Sequence, residues 1–464
     1  MNLKLVVASM SILGLISCPV FAAHQTKHKK MKHQQMAEHR DYKDMGSLPV
    51  QEPVCTISQN SVIMDGMTQS YGRSMPNPCN PGWFNRIQFS GGVNVDIGKF
   101  GNRNANIMGE NYQRFSLNDA YLNLAADISD WTKAFASIGY NTATMNSNPS
   151  EFKTFGAAEY SAAYSNNINA TGTTSSLELE QAYATIGNFD VSPVFVQVGK
   201  GFQPFSSYEI HPITASMTQV MSEVLTTALK LGFIANGFNG SVYAFDDPIA
   251  KIGGGSSRPT NYGASLGYSA PNDQLGWDAG AGYLYNIIGA NDVAYSVVNF
   301  TGTGGYNSRV GGAALFGDVN SGPFILSARY TAAIQRFNVN DLTKNGFADL
   351  TAASSLGSAS TAASTATPVA GASGAKPWAA GIQGGYGFDA WGKNQNVYLG
   401  YQTSREAAGL NLPKNRWLVG YGIDMFKNTH VGVEWDHDMA YNASNGGSGN
   451  NTNLVSLRSS VKFG

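Results

Sequence analysis

The sequence predicts an all-β chain that closes into a transmembrane antiparallel β-barrel of about 16 strands with a loop-rich N-terminal extension. Three observations carry that prediction. Only 13% of the 464 residues are charged, about half the ~25% of soluble domains. Apolar residues reach 42%, yet beyond residue 23 they never gather into the ~20-residue run that a membrane helix needs. From Arg86 onward they return at every second position, in segments whose connections alternate between short and long. The 30 Lys+Arg and 31 Asp+Glu leave a net charge of −1. That balance argues against a nucleic-acid partner, because phosphate binding needs a basic surface.

The chain begins with an export signal. Met1 to Lys4 supply a short positive start, Leu5 to Val20 an apolar stretch, and Val20-Phe21-Ala22 a small-residue cleavage pattern. Residues 1–23 therefore read as a signal peptide. Leu15-Ile16-Ser17-Cys18 offers a competing lipoprotein signal, but losing Cys18 with the signal leaves Cys55 and Cys79 as an even pair in a compartment that permits disulfides. A bridge between them would constrain the unfolded chain by about 3 kcal/mol.

Residues 24–85 form a different kind of segment. His24, His28, His33 and His39 lie among Lys27, Lys29, Lys30 and Lys32. Such a tract can bind metal, but nothing apolar nearby would order the ligands, so it reads as a solvated extension and no metal or cofactor is assigned. Pro49, Pro53, Pro76, Pro78 and Pro81 with the two cysteines then suggest a loop-rich cap before the first strand.

The barrel occupies residues 86–464. In its first strand Ile87, Phe89, Gly91, Val93, Val95 and Ile97 alternate with polar or small residues. In its last, Val455, Leu457, Val461 and Phe463 alternate with Ser456, Arg458, Ser460 and Lys462. Between them the same period runs over 115–126, 131–141, 178–187, 193–200, 226–234, 240–246, 261–269, 276–286, 309–317, 323–333, 377–388, 395–402, 415–425 and 429–438.

Long connections (98–114, 142–177, 201–225, 247–260, 287–308, 334–376, 403–414, 439–452) alternate without exception with short ones. A soluble sandwich has no reason to gather every long loop at one end, whereas outer-membrane barrels have short periplasmic turns and long external loops. The polar strand face, rich in Gly, Ser, Asn and Gln, suits a wet lumen. Trp131, Trp277, Tyr285, Trp378, Trp417 and Trp435 near strand ends suit interfacial girdles. About 16 strands leave an aqueous channel rather than a packed interior. Residues 24–85 are too few to fill a plugged barrel of about 22 strands.

Three features are candidates for selectivity. The third long loop carries Tyr208, Glu209 and His211, followed by Met217, Val220, Met221, Val224 and Leu225 at helical spacing. Folded inward, it would narrow the pore at the first three. Lys230, Arg329, Glu434, Asp436, Arg458 and Lys462 fall on the polar face and are read as lumen charges, because facing lipid they would cost about 2–4 kcal/mol each at the midplane. Asp436-His437-Asp438 resembles a metal cluster, but alternation sends neighbours to opposite faces. Residues 350–376, mainly Ala, Ser, Thr and Gly, read as a mobile external loop. No nucleophile and base pattern stands out, so an enzyme is not expected.

The strand, turn and loop order of 86–464 resembles the bacterial sixteen-stranded porins. More narrowly, Leu117-x-x-Ala120-Tyr121-x-x-Leu124, Val196-Gln197-Val198-Gly199-Lys200-Gly201-Phe202-Gln203-Pro204-Phe205 and His211-Pro212-Ile213-Thr214 resemble the siderophore porin family associated with legiobactin uptake. The resemblance implies passage of ferric siderophores through the bacterial outer membrane without a plug. Expected partners are outer-membrane lipid and lipopolysaccharide, small hydrophilic solutes and other copies of the chain in a homo-oligomer. A general diffusion porin is one alternative. A surface adhesin or structural protein acting through loop 334–376 is the other.

Overall fold

Alternating side chains force each segment to present one face to lipid and one to the interior, and a sheet whose edges would otherwise lie bare in lipid must close. The computed structural model shows that outcome: one closed sixteen-stranded antiparallel sheet. It describes residues 87–101, 112–144, 173–207, 213–255, 258–270, 275–301, 305–350 and 367–463. The expected signal peptide, the 24–85 extension and its Cys55 and Cys79 lie outside the described residues.

The strands are β1 (Ile87–Gly101), β2 (Tyr112–Ser129), β3 (Thr132–Thr144), β4 (Thr173–Gly187), β5 (Val194–Phe202), β6 (Leu225–Ala235), β7 (Phe238–Phe245) and β8 (Asn261–Ala270). They continue with β9 (Gly276–Leu284), β10 (Gly312–Ser321), β11 (Phe324–Ala333), β12 (Trp378–Ala390), β13 (Lys393–Arg405), β14 (Asn415–Phe426), β15 (Thr429–Met439) and β16 (Asn451–Phe463). Each pairs with its sequence neighbour, and β16 returns to β1 with Gly91 opposite Phe463 and Gly101 opposite Asn453. Short turns and both ends of the barrel chain share one rim. At the turn between β6 and β7, Asn236 (φ 51°) and Gly237 (φ 82°) are both left-handed. That conformation matches a two-residue hairpin to the strand twist, so the connection is tighter than the sequence reading placed it. β10 begins later than expected because Val310 and Gly311 already serve the long-loop rim: their carbonyl oxygens accept from the Ile287 and Ile334 N–H groups.

The outer face is a belt of exposed apolar side chains, among them Val93, Leu122, Leu229, Leu315, Leu399 and Leu457. Aromatic pairs border it at both rims. Tyr262 with Tyr285 (4.4 Å between ring centroids) and Tyr401 with Trp417 (4.7 Å) lie at the long-loop side. Phe238 with Tyr268 (4.5 Å) and Phe324 with Tyr386 (4.7 Å) lie at the short-turn side. An apolar band between two aromatic girdles is the exterior that a bilayer requires.

The long loops fold onto one another in the barrel mouth. Helix α1 (Met217–Ser222) forms where helical spacing was read, with Ser216 Oγ accepting the Gln219 N–H at 3.0 Å. Helix α2 (Asn291–Thr301) lies within 287–308, where the spacing of strands predicts only a long connection. Its buried Val293, Ala294 and Val297 recur at helical spacing, a signal that was available in the sequence. Residues 367–376, read as part of a mobile loop, instead fold back. Phe337 N–H donates to Ala375 O, Leu342 O accepts the Ala375 N–H, and Ala375 is buried with Phe337 and Leu342. The remainder of that low-complexity stretch, 351–366, lies outside the described residues.

Candidate functional site: a lumen divided by the third loop

Loop 203–224 leaves β5, crosses the interior and returns at β6. It first lies against β9, where a Cβ on Gly282 would stand 1.9 Å from the Phe205 carbonyl oxygen, so the wall must be bare at that point. Ser207 O accepts from Arg329 Nε on β11 at 3.1 Å. After residues 208–212 the chain is met by β15: the N–H groups of Ile213 and Thr214 donate to the two oxygens of Glu434, each at 2.8 Å. Arg416 Nη1 on β14 donates to Ala215 O at 3.1 Å, and Gln402 Oε1 on β13 accepts the Met217 N–H at 2.9 Å. Helix α1 then packs on β11, β12 and β13. The loop thus reaches the wall across the ring from its own roots.

This path divides the mouth of the lumen. The sector along β6–β12 is filled by an apolar core in which Phe205, Met221 and Val224 of the loop meet Leu284, Ile287 and Val293. The opposite sector, bounded by β15, β16 and β1–β5, keeps a polar inner face with Asn94, Ser137, Gln197, Ser460 and a bidentate Arg458–Asp96 pair at 2.8 and 2.7 Å.

Local sequence explains how the anchors are held. Across three strands Tyr398, Gly420 and Glu434 are register partners. A Cβ on Gly420 would come within 1.9 Å of the Tyr398 ring, so glycine lets that ring lie flat over β14 and its hydroxyl donate to Glu434 Oε2 at 3.0 Å. In the same manner Gln402, Arg416 and Asp438 form a row, with Arg416 donating to Asp438 at 2.6 and 2.8 Å. Thr214 Oγ1 stands 2.7 Å from Glu434 Oε1 and 2.7 Å from Asp436 Oδ2. On β11, Arg329 binds Asp318 of β10 through two contacts of 2.9 and 2.8 Å.

The sequence-based candidates divide accordingly. Tyr208, Glu209 and His211 lie outside the described residues. Lys230, Arg329, Glu434, Asp436, Arg458 and Lys462 all occupy inner-face positions of their strands. An inward direction does not by itself place all six in open water. Arg329 is 3% exposed and Glu434 and Asp436 1% each, because the third loop covers them and uses them as anchors. Arg458, Lys230 and Lys462 are only half-buried. Asp436 and Asp438 point inward and His437 outward, its Nδ1 2.9 Å from Asn453 Oδ1, and among the described residues no three metal-ligating side chains converge. Tyr398, Gln402 and Arg416 were not singled out from sequence, while Thr214 entered only within the His211–Thr214 segment and Asp438 only in the rejected metal cluster. Their alternation was visible, but their joint role depends on register between strands.

No family model matches the chain. It is 24% identical over 267 residues to a UPF0422 protein of Coxiella burnetii, covering 57% of this chain and 51% of that one. It is 26% identical over 283 residues to the UPF0422 protein lpg2959 of Legionella pneumophila, covering 58% and 47%. The chain spans about half the length of the curated relatives it matches. Among solved structures, Pseudomonas putida OprB overlays with a TM-score of 0.51 at 14% identity, covering 82% of this chain and 94% of OprB. That likeness is one of fold. Together with the apolar belt, the girdles and the closed sheet, it makes this chain a sixteen-stranded β-barrel of the bacterial outer membrane, with a porin-like channel fold.

Proposed function

We propose that the barrel is a passive conduit for small hydrophilic solutes, with ferric siderophores as a specific cargo. The conduit is carried by one observation: a closed sixteen-stranded wall whose mouth keeps a polar sector beside an inward-folded loop. The siderophore cargo is supported by the resemblance of the 117–124 and 196–205 segments. Tyr208, Glu209 and His211, in the chain between the Ser207 and Ile213 anchors, are the proposed constriction. A Cys55–Cys79 disulfide is proposed for the extension, and a mass increase on alkylation only after reduction would support it.

Purified protein in planar bilayers is expected to give discrete ion conductance. A sealed bilayer containing inserted protein refutes the conduit. For the cargo, deletion of the gene is expected to lower siderophore-dependent iron uptake while leaving uptake of unrelated small solutes unchanged. Equal loss of both would make it a general diffusion porin.

A further inference from the structure

Thr214 has one hydroxyl hydrogen and two carboxyl groups to satisfy. Its Oγ1 is 2.7 Å from an oxygen of Glu434 and 2.7 Å from an oxygen of Asp436, both within the range of strong O–H···O bonds. If both carboxyls were ionised, one of these contacts would set lone pair against lone pair.

The remaining partners decide which group carries the extra hydrogen. Glu434 already receives the N–H groups of Ile213 and Thr214 and the Tyr398 hydroxyl, an arrangement that suits an anion. Asp436 Oδ1 is buried without a hydrogen-bond partner and its Oδ2 meets Thr214, an arrangement that suits a neutral acid. The two carboxyls project from the same face of β15, two residues apart, so a second negative charge would also repel the first. Other charged groups around the pair are already engaged. Arg416 is held by Asp438, and Arg458 on β16 by Asp96 of β1. Glu209 and His211 of the loop lie outside the described residues.

We propose that neutral Asp436 donates a hydrogen bond to Thr214 Oγ1 while the Thr214 hydroxyl donates one to the Glu434 carboxylate, and that this chain of two hydrogen bonds, which needs one retained proton, is the latch holding the third loop across the lumen and setting the size limit for solutes. The proposal rests on the conduit reading above. It adds Thr214, Glu434 and Asp436 as positioning residues for the constriction and makes the loop's attachment depend on pH.

Two readouts test it separately from the conduit. Amide protection of residues 213–217 in detergent, corrected for intrinsic exchange, reads the latch without any conduction. Exclusion of neutral polymers in single-channel recordings reads its effect on the pore. In the wild type, raising the pH from about 6 to about 10, past the range documented for buried carboxyls, is expected to lower that protection roughly 2- to 13-fold, the loss of one neutral hydrogen bond. Polymers excluded at the lower pH should then enter. Asp436→Asn replaces the neutral acid by an amide that still donates to Thr214 Oγ1, and should retain high protection at both values. Glu434→Gln removes the anion on which four donors converge, and should be released at both.

Wild-type protection that stays constant with pH, or an Asp436→Asn variant as loosened as Glu434→Gln, overturns the latch. If Glu434→Gln does not fold, as judged by its heat-modifiable gel mobility, the comparison of wild type with Asp436→Asn decides. Absence of conductance with the predicted protection changes would refute the conduit and leave the latch standing.

Discussion

Replacing Arg329 by Met tests whether the inner-face charges are anchors or pore lining. The Arg329 and Asp318 side chains are 1% and 0% exposed, and Arg329 also binds the carbonyl oxygens of Gly317, Ala328 and Ser207 at 3.0–3.1 Å. Met fills much of the volume but leaves the Asp318 carboxylate buried without its main partner. Breaking a buried pair in this way costs about 3–5 kcal/mol, or roughly 2 to 4 orders of magnitude in the folding equilibrium. Urea unfolding of barrels refolded into lipid vesicles, followed by tryptophan fluorescence, measures that change. The double variant Arg329→Met/Asp318→Leu removes both charges and should recover most of the loss, because apolar replacement of a whole buried pair is often neutral. It would not recover the Ser207 anchor, so its single-channel noise should stay above wild type. An Arg329→Met variant within about 1 kcal/mol of wild type, the usual worth of an exposed pair, would show that the side chain is solvated and that the anchoring argument is wrong.

Three further outcomes are expected. Gly420→Ala should destabilise the barrel by about 1–3 kcal/mol through overpacking against the Tyr398 ring, and should raise the exchange of the Ile213 and Thr214 amides; unchanged exchange would disconnect Tyr398 from the anchor. Leu399→Arg places a charge at the middle of β13 on a side chain 54% exposed on the outer face, and should cost about 2–4 kcal/mol in vesicle refolding. A neutral result would mean that this face does not meet lipid. In the external loops, burial pushes the Asp247 carboxyl above its ordinary value, opposed by hydrogen bonds from Tyr306, Asn286 and Asn261. A carboxyl raised in the folded state contributes most below its unfolded pKa of about 3.9, and that contribution is lost as pH rises through the raised value. Protection of residues 246–260 and 305–311, corrected for intrinsic exchange, should therefore fall over that window, and a flat profile would contradict the burial argument.

The barrel was legible because its rules are local. Period-two patterns in segments such as 276–286 and 377–388 state which residues meet lipid, and alternating connection lengths state which rim each loop joins. Met217, Val220 and Met221 showed a helix in the third loop for the same reason, and Val293, Ala294 and Val297 could have shown α2. The site was less legible because it depends on partners far apart in the chain. Alternation assigned Arg329, Glu434 and Asp436 to the inner face, but inner face and open water are the same prediction until something is known to cover them. The cover is loop 203–224, whose anchor at Thr214 lies 220 residues from Glu434 in sequence.

The amino-acid sequence by itself determined strand number, facing and rim, since the contrast between lipid and water acts on each strand independently through its own alternation. Only the tertiary structure decided what the interior charges do. Register places glycine at 420 between Tyr398 and Glu434, closure brings β15 across from the roots of the third loop, and that loop's backbone N–H groups at Glu434 and Thr214 hydroxyl at Asp436 meet two carboxyls that the pattern alone would have left in water. Those contacts depend on how the strands are aligned around the ring, which no single segment encodes.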